Sequence, residues 1–112
     1  MISVLIPYYN KMNSIERTIQ SVKDYFSEFD YEIIIWDDGS NKKDFEFLLS
    51  LKSEYNRLIV LGPHKNKGRS FARNSLIKNA KGDWIFLLDA DDYFISDIGI
   101  ILKKIKNKSL DI

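Results

Sequence analysis

Residues 86–93 read FLLDADDY, so Asp89, Asp91 and Asp92 crowd into four positions directly behind an apolar run. Like charges at that spacing repel unless a cation offsets them. Carboxylate oxygens suit Mg2+ or Mn2+, ions that keep open positions for water or phosphate. In an extended segment the side chains at i and i+2 share a side. That spacing aims Asp89 and Asp91 at one point across Ala90 and leaves Asp92 to face elsewhere or to cap a following helix. An ion held there would neutralise a pyrophosphate and stabilise negative charge on a departing phosphate. The plainer reading makes Asp91 or Asp92 an N-cap and leaves Asp89 solvated.

Two further stretches end in the same way. In YEIIIWDDGS, residues 31–40, an apolar run leads into Asp37, Asp38, Gly39 and Ser40. Asp-Gly-Ser is a common turn, but a carboxylate there can also accept from a base N–H or a ribose hydroxyl. In ISVLIPYYN, residues 2–10, Pro7 closes the apolar run, Tyr9 offers a ring for stacking on a base, and Asn10 can organise the loop. Arg69 and Arg73 stand four apart, on one face of a helix start. Their guanidinium forks suit phosphate or carboxylate, so either reaches a nucleotide or holds an acid such as Asp38 or Asp89. His64 reads as an exposed loop residue. Lys103, Lys104, Lys106 and Lys108 read as a solvated helix end, with contact to an anionic membrane as the alternative.

The elements that must position these residues follow from periodicity. Residues 2–7, 31–36, 57–62 and 83–88 are short apolar runs rich in Ile, Leu and Val, and they predict four buried strands. Between them, Ile15, Ile19, Val22 and Phe26 recur at helical spacing, with Asn13 and Glu16 as a capping-box relative. A second helix is expected over 43–54 with Phe45, Leu48 and Leu49 inward. A third starts near Gly68, buries Phe71, Ala72, Leu76 and Ala80, and is capped by Gly82. A last helix is expected over 96–107. Apolar strands alternating with helices predict an α/β fold, a parallel sheet with helices on both faces. In such a sheet ligands bind beyond the carboxyl ends of the strands, and parallel topology brings all three acidic or aromatic tips to that edge.

Composition sets the outer bounds. The chain has 112 residues, enough for one domain, with 45% hydrophobic and 29% charged residues. Its formal net charge of +1 gives no basic field for nucleic acid, so nucleic acid is not an expected partner. Without cysteine, disulfide frameworks and thiolate metal sites are excluded. The opening MISVLIPYYN does not read as a signal peptide, and the cytoplasm is the expected compartment, with peripheral contact at the inner membrane face as an alternative. The closing KSLDI, with Leu110 and Ile112, reads as the start of a further strand. The chain therefore reads as the N-terminal part of a longer protein, and an uncovered sheet edge would favour self-association.

Four segments, in order, resemble the family 2 glycosyltransferases of GT-A fold: SVLIPYYN, IIIWDDGS, NKGRSFARN and AKGDWIFLLDADD. The resemblance covers the whole chain in order. The resemblance implies a Rossmann-like GT-A domain whose residues 1–112 form the nucleotide-binding part. It implies transfer of a sugar from a nucleotide diphosphate sugar, with a UDP-sugar favoured, to a hydroxyl of a glycan or lipid-linked acceptor in bacterial polysaccharide synthesis, with inversion. Position by position, Pro7, Tyr9 and Asn10 match the first-strand motif, whose aromatic residue lies against the base. Asp38 matches the acid that recognises the base, and Asp37 supports it or contacts ribose. Arg69 or Arg73 lies near the base. Asp89, Ala90 and Asp91 match the D-x-D motif for Mn2+ or Mg2+, with Asp92 following and a one-residue shift of the cluster open. The family's general base, a carboxylate needed to deprotonate the acceptor, belongs to a region expected beyond Ile112, which leaves the isolated chain with little or no transferase activity.

Competing readings differ in testable features. A haloacid dehalogenase-type phosphatase and a receiver domain place their acids after the first strand, and a dinucleotide fold places G-x-G-x-x-G there. A non-catalytic nucleotide-binding or assembly module is the remaining alternative.

Overall fold

A computed structural model describes residues 1–95 and 97–110. Among them, four parallel strands form one sheet in the order β3-β2-β1-β4, with β1 Ile2–Tyr8, β2 Tyr31–Asp37, β3 Leu58–Leu61 and β4 Trp84–Leu87. The connecting helices are α1 Ile15–Phe26, α2 Lys42–Ser50 and α3 Arg69–Asn79, and α4 Ile98–Leu110 follows β4. The expected α/β fold with a parallel sheet is what the chain adopts. Strand order reverses between β1 and β4, which creates a crevice at their carboxyl ends.

Burial explains why the two central strands are so apolar. On one face Val4, Ile6, Ile33 and Ile35 pack against Ile15, Ile19, Val22 and Phe26 of α1, with Leu48, Leu102 and Ile105 from α2 and α4. On the other face Leu5 and Ile34 meet Leu76 of α3. Burying one such side chain contributes about 1.5–3 kcal/mol. Coverage of the second face is partial, and Ile85 and Leu87 of β4 stay exposed.

Pro7 sits inside β1 rather than ending it, paired in register with Trp36. Tyr8 O accepts from Asp38 N on the β2 side. Backbone groups of successive residues alternate in direction, so Pro7 faces the β4 side. There the pairing stops at Leu5 and Leu87, and no ladder bond is lost at the missing N–H.

Several local expectations shift. Ser14, not Asn13, precedes α1. Helix α2 ends at Ser50 and passes into a 3-10 turn, Leu51–Ser53, so Leu51 takes the buried position and Leu49 turns outward. In α3, Ala72 and Leu76 are buried and Phe71 is exposed. Gly82 is not the helix cap, because Ala80 ends α3 in an extended conformation. A Cβ at Gly82 would stand 2.7 Å from Ser3 N, so close approach to β1 is what the glycine permits. There Gly82 N donates to Ser3 Oγ, while Ser3 Oγ–H and Lys81 N both donate to the buried Glu32. Leu110 closes α4 rather than opening a strand. Ser96, expected to start the last helix, and Ile112 lie outside the described residues. No helix among the described residues is long and apolar enough to cross a membrane. Lys106 pairs with Glu28 at 3.4 Å, and Lys108 lies over the Trp84 ring.

Candidate functional site at the strand tips

The tips of β1, β2 and β4 open into one cavity of about 410 Å³. Pro7, Tyr9 and Asn10 line it from β1, Asp38 from β2, and Asp89, Ala90 and Asp91 from β4, with Arg69 contributed by α3. The three polar clusters therefore meet, as parallel topology requires.

Local chemistry knits these tips together. Asn10 adopts the left-handed conformation, φ 49, which asparagine tolerates better than most residues. Its N–H donates to Ser40 Oγ and its side-chain oxygen accepts from Asn41 N, both at 2.9 Å, which fastens the β1 loop to the β2 loop. Gly39, at φ +91, lies so close to the next loop that a Cβ would be 2.8 Å from Asn66 N. That approach lets Asp38 accept Lys67 N at 2.7 Å and Gly68 N at 3.1 Å, one on each carboxylate oxygen. Each oxygen keeps acceptor capacity for a further donor. Tyr9 is 48% exposed, its ring free for a planar partner.

Asp37 is fully buried, its carboxylate oxygens find no hydrogen-bond partner among the described residues, and it does not line the cavity. Beside it, Tyr8 donates its hydroxyl to Asp44, which also accepts Met12 N at 3.1 Å. Burial, and then the hydrogen bond to Asp44, push the Tyr8 hydroxyl well above the ordinary phenol range. His64 is half-buried rather than exposed, stacked 3.8 Å from Trp36 with the rings 3° from parallel.

The acidic cluster is a turn, not a strand continuation. Asp92 N donates to Asp89 O at 3.0 Å, so the i, i+2 alternation of an extended chain does not apply. The turn still gathers the acids: Asp89, Asp91 and Asp92 each present a carboxylate oxygen within 4.8 Å of the others. Asp92 joins the group and does not cap α4, which starts six residues later, at Ile98. Opposite Asp89 stands Arg73, its Nη2 3.5 Å away, and opposite Asp91 stands Lys11 Nζ, also at 3.5 Å. These separations exceed the 2.7–2.9 Å typical of charge-assisted bonds. The two cations therefore relieve repulsion without saturating the acids. An all-oxygen donor set that keeps unfilled lone pairs fits a hard divalent cation.

Arg69 lines the cavity and Arg73 does not; Arg73 backs the acidic turn. Sequence reasoning missed Lys11, Ser14 and Thr18, which touch the turn from the loop before α1 and from its first turn. The i, i+4 spacing of Ser14 and Thr18 at core-facing positions was the available signal.

The family model for glycosyl transferase family 2 matches residues 3–112, nearly the entire chain. The chain belongs to glycosyltransferase family 2. Its relatives in this family include a poly(ribitol-phosphate) beta-glucosyltransferase from Bacillus spizizenii, 38% identical over 98 residues, 86% of this chain and 16% of the relative. Another is a UDP-Glc:alpha-D-GlcNAc-diphosphoundecaprenol beta-1,3-glucosyltransferase from Escherichia coli, 33% identical over 96 residues, 86% of this chain and 37% of the relative. This family 2 chain thus spans well under half the length of either. Among solved structures, S. aureus TarS 1-349 in complex with UDP-GlcNAc superposes with a TM-score of 0.75 at 25% identity, covering 95% of this chain and 30% of that one. A Pyrobaculum calidifontis mannosyltransferase in complex with GDP-Man and Mn2+ shares the fold, with a TM-score of 0.71 at 20% identity, over 87% of this chain and 29% of that one. The sheet and its helices thus share the α/β architecture of these GT-A transferases.

Proposed function

We propose that this chain forms the donor-binding part of a metal-dependent, inverting transferase. The enzyme would move a sugar from a nucleotide diphosphate sugar, a UDP-sugar by preference, to a hydroxyl of a glycan or lipid-linked acceptor in bacterial polysaccharide synthesis. The observation that carries this reading is the convergence of Tyr9, Asp38 and the acidic turn at one cavity. The UDP-GlcNAc complex of TarS and the lipid-diphosphate acceptor named for the Escherichia coli relative support the choice of donor and acceptor.

Each residue has a physical task. Tyr9 stacks on the base. Asp38, held by two backbone amides, turns its remaining lone pairs toward a base N–H, a donor that uracil offers. Arg69 directs its guanidinium at phosphate, while Arg73 offsets the charge of Asp89. Asp89, Asp91 and Asp92 would hold Mn2+ or Mg2+, which supplies charge neutralisation at the diphosphate leaving group. The general base is assigned to no residue of this chain, so binding without turnover is the expected behaviour of residues 1–112.

Calorimetry with UDP and GDP in Mn2+ tests the reading. UDP is expected to bind at least several-fold tighter than GDP, and Tyr9→Ala to weaken UDP by about 1–3 kcal/mol, the range for loss of one base stack. Failure of UDP to bind would refute it, as would robust sugar transfer by the chain alone for the placement of the base.

A further inference from the structure

The acidic turn lies outside the sheet, since β4 ends at Leu87, two residues before Asp89. Its backbone is instead held by one face of α1. Ser14 precedes that helix yet makes no capping bond; its hydroxyl donates to Ala90 O at 3.0 Å. Thr18, fully buried, places Oγ1 3.0 Å from the same carbonyl, within bonding distance of Asp92 O and 3.3 Å from Ser14 O. A hydroxyl carries one proton, so Thr18 serves these carbonyls in turn. Ser21, one turn further, accepts Phe94 N at 3.0 Å. Arg17, between them, lies 4.3 Å over the Tyr93 ring with Nη2 3.5 Å from Asp91 O.

Positions 14, 17, 18 and 21 share one helical face, and every one of them meets residues 90–94. Two of those contacts converge on Ala90 O, the carbonyl between Asp89 and Asp91. A hydroxyl buried among Ile15, Ile19 and Val22 is costly unless it is paired, and here the pairing goes to the turn's carbonyls.

We propose that Thr18, assisted by Ser14 and Ser21, is a positioning residue for the acidic turn: by fixing the peptide planes at 90 and 92 it sets the mutual placement of the Asp89, Asp91 and Asp92 carboxylates, and so the affinity for a divalent cation. The cation part rests on the metal-dependent reading above; the anchoring part does not. Thr18 does not line the cavity and acts through the backbone of the turn.

The test compares Thr18→Val, which keeps the shape and removes the donor, with Thr18→Ser, which restores it. Two readouts are taken on the whole chain: Mn2+ affinity by electron paramagnetic resonance, and hydrogen exchange of the Asp92 and Phe94 amides in metal-free protein. Thr18→Val is expected to weaken Mn2+ binding at least fivefold and to speed exchange at both amides at least tenfold. Thr18→Ser should bring both within about twofold of wild type. If Thr18→Val does not fold, Ser14→Ala is expected to shift both readouts in the same direction, by twofold or more. Wild-type exchange and affinity in a folded Thr18→Val protein would overturn the proposal, as would a serine variant that behaves like valine. Should the wild-type chain bind no Mn2+, the metal reading fails, and the exchange rates alone decide the anchoring: acceleration in Thr18→Val sustains it and unchanged rates refute it.

Discussion

Arg73 Nη2 lies 3.5 Å from Asp89 Oδ1, an ion pair that ties α3 to the turn following β4. The guanidinium thus faces the carboxylates where a divalent cation is proposed to sit, and two positive charges compete for one acid. Both partners are more than a third exposed, so solvent screens the pair and its net worth is small. Arg73→Gln is accordingly expected to strengthen Mn2+ binding of the nucleotide-free chain about two- to fivefold, measured by paramagnetic titration. Weaker binding would show that Arg73 holds Asp89 in the binding geometry more than it competes.

Gly39 carries the loop packing on which Asp38 depends. Gly39→Ala introduces a methyl at positive φ, 2.8 Å from Asn66 N, and the atom it meets is backbone rather than a flexible tip. The substitution is expected to cost about 1–3 kcal/mol in denaturant unfolding, the usual range for overpacking. It should also weaken UDP binding, because the 66–68 loop that donates to Asp38 must move. A fully stable variant with native affinity would contradict that linkage.

Tyr8 provides the pH dependence. Its folded-state pKa is raised by burial and by Asp44, and Tyr31 and Tyr55 are raised by burial as well. Above the ordinary phenol value of about 10 the unfolded chain loses these protons while the folded chain keeps them, so the unfolded state binds fewer protons. Stability is therefore intact below about pH 10 and falls as pH rises beyond it. Tyr8→Phe is expected to remove up to one proton from that slope, about 1.4 kcal/mol per pH unit, seen in urea unfolding between pH 9 and 11. An unchanged slope would mean that Tyr8 ionises as readily folded as unfolded.

Much of this site is legible in the sequence, and the reason is topological. Parallel pairing of β1 with β2 and β4 forces Tyr9, Asp38 and Asp89 to one edge, so strand recognition alone brings them together. The illegible parts run through main chain. Nothing in the identity of Lys67 or Gly68 announces that their N–H groups hold Asp38. An extended reading of residues 89–92 fits the apolar run before them, and only the bond from Asp92 N to Asp89 O shows the turn. Gly82 resembles a helix cap, but what requires glycine there is the close approach of Ser3, 79 residues away in the chain. Phe71 fitted the helical stripe of α3, yet it is exposed beside Trp36, since α3 covers the sheet only in part.

The most direct test of the central claim is calorimetric titration of UDP into the chain with Mn2+ and with chelator, for wild type and Asp91→Asn. Wild type should bind UDP only when Mn2+ is present, and Asp91→Asn should weaken that binding about 10- to 100-fold, the scale of a lost charged contact. Equal affinity in chelator, or native affinity in the asparagine variant, would contradict the account.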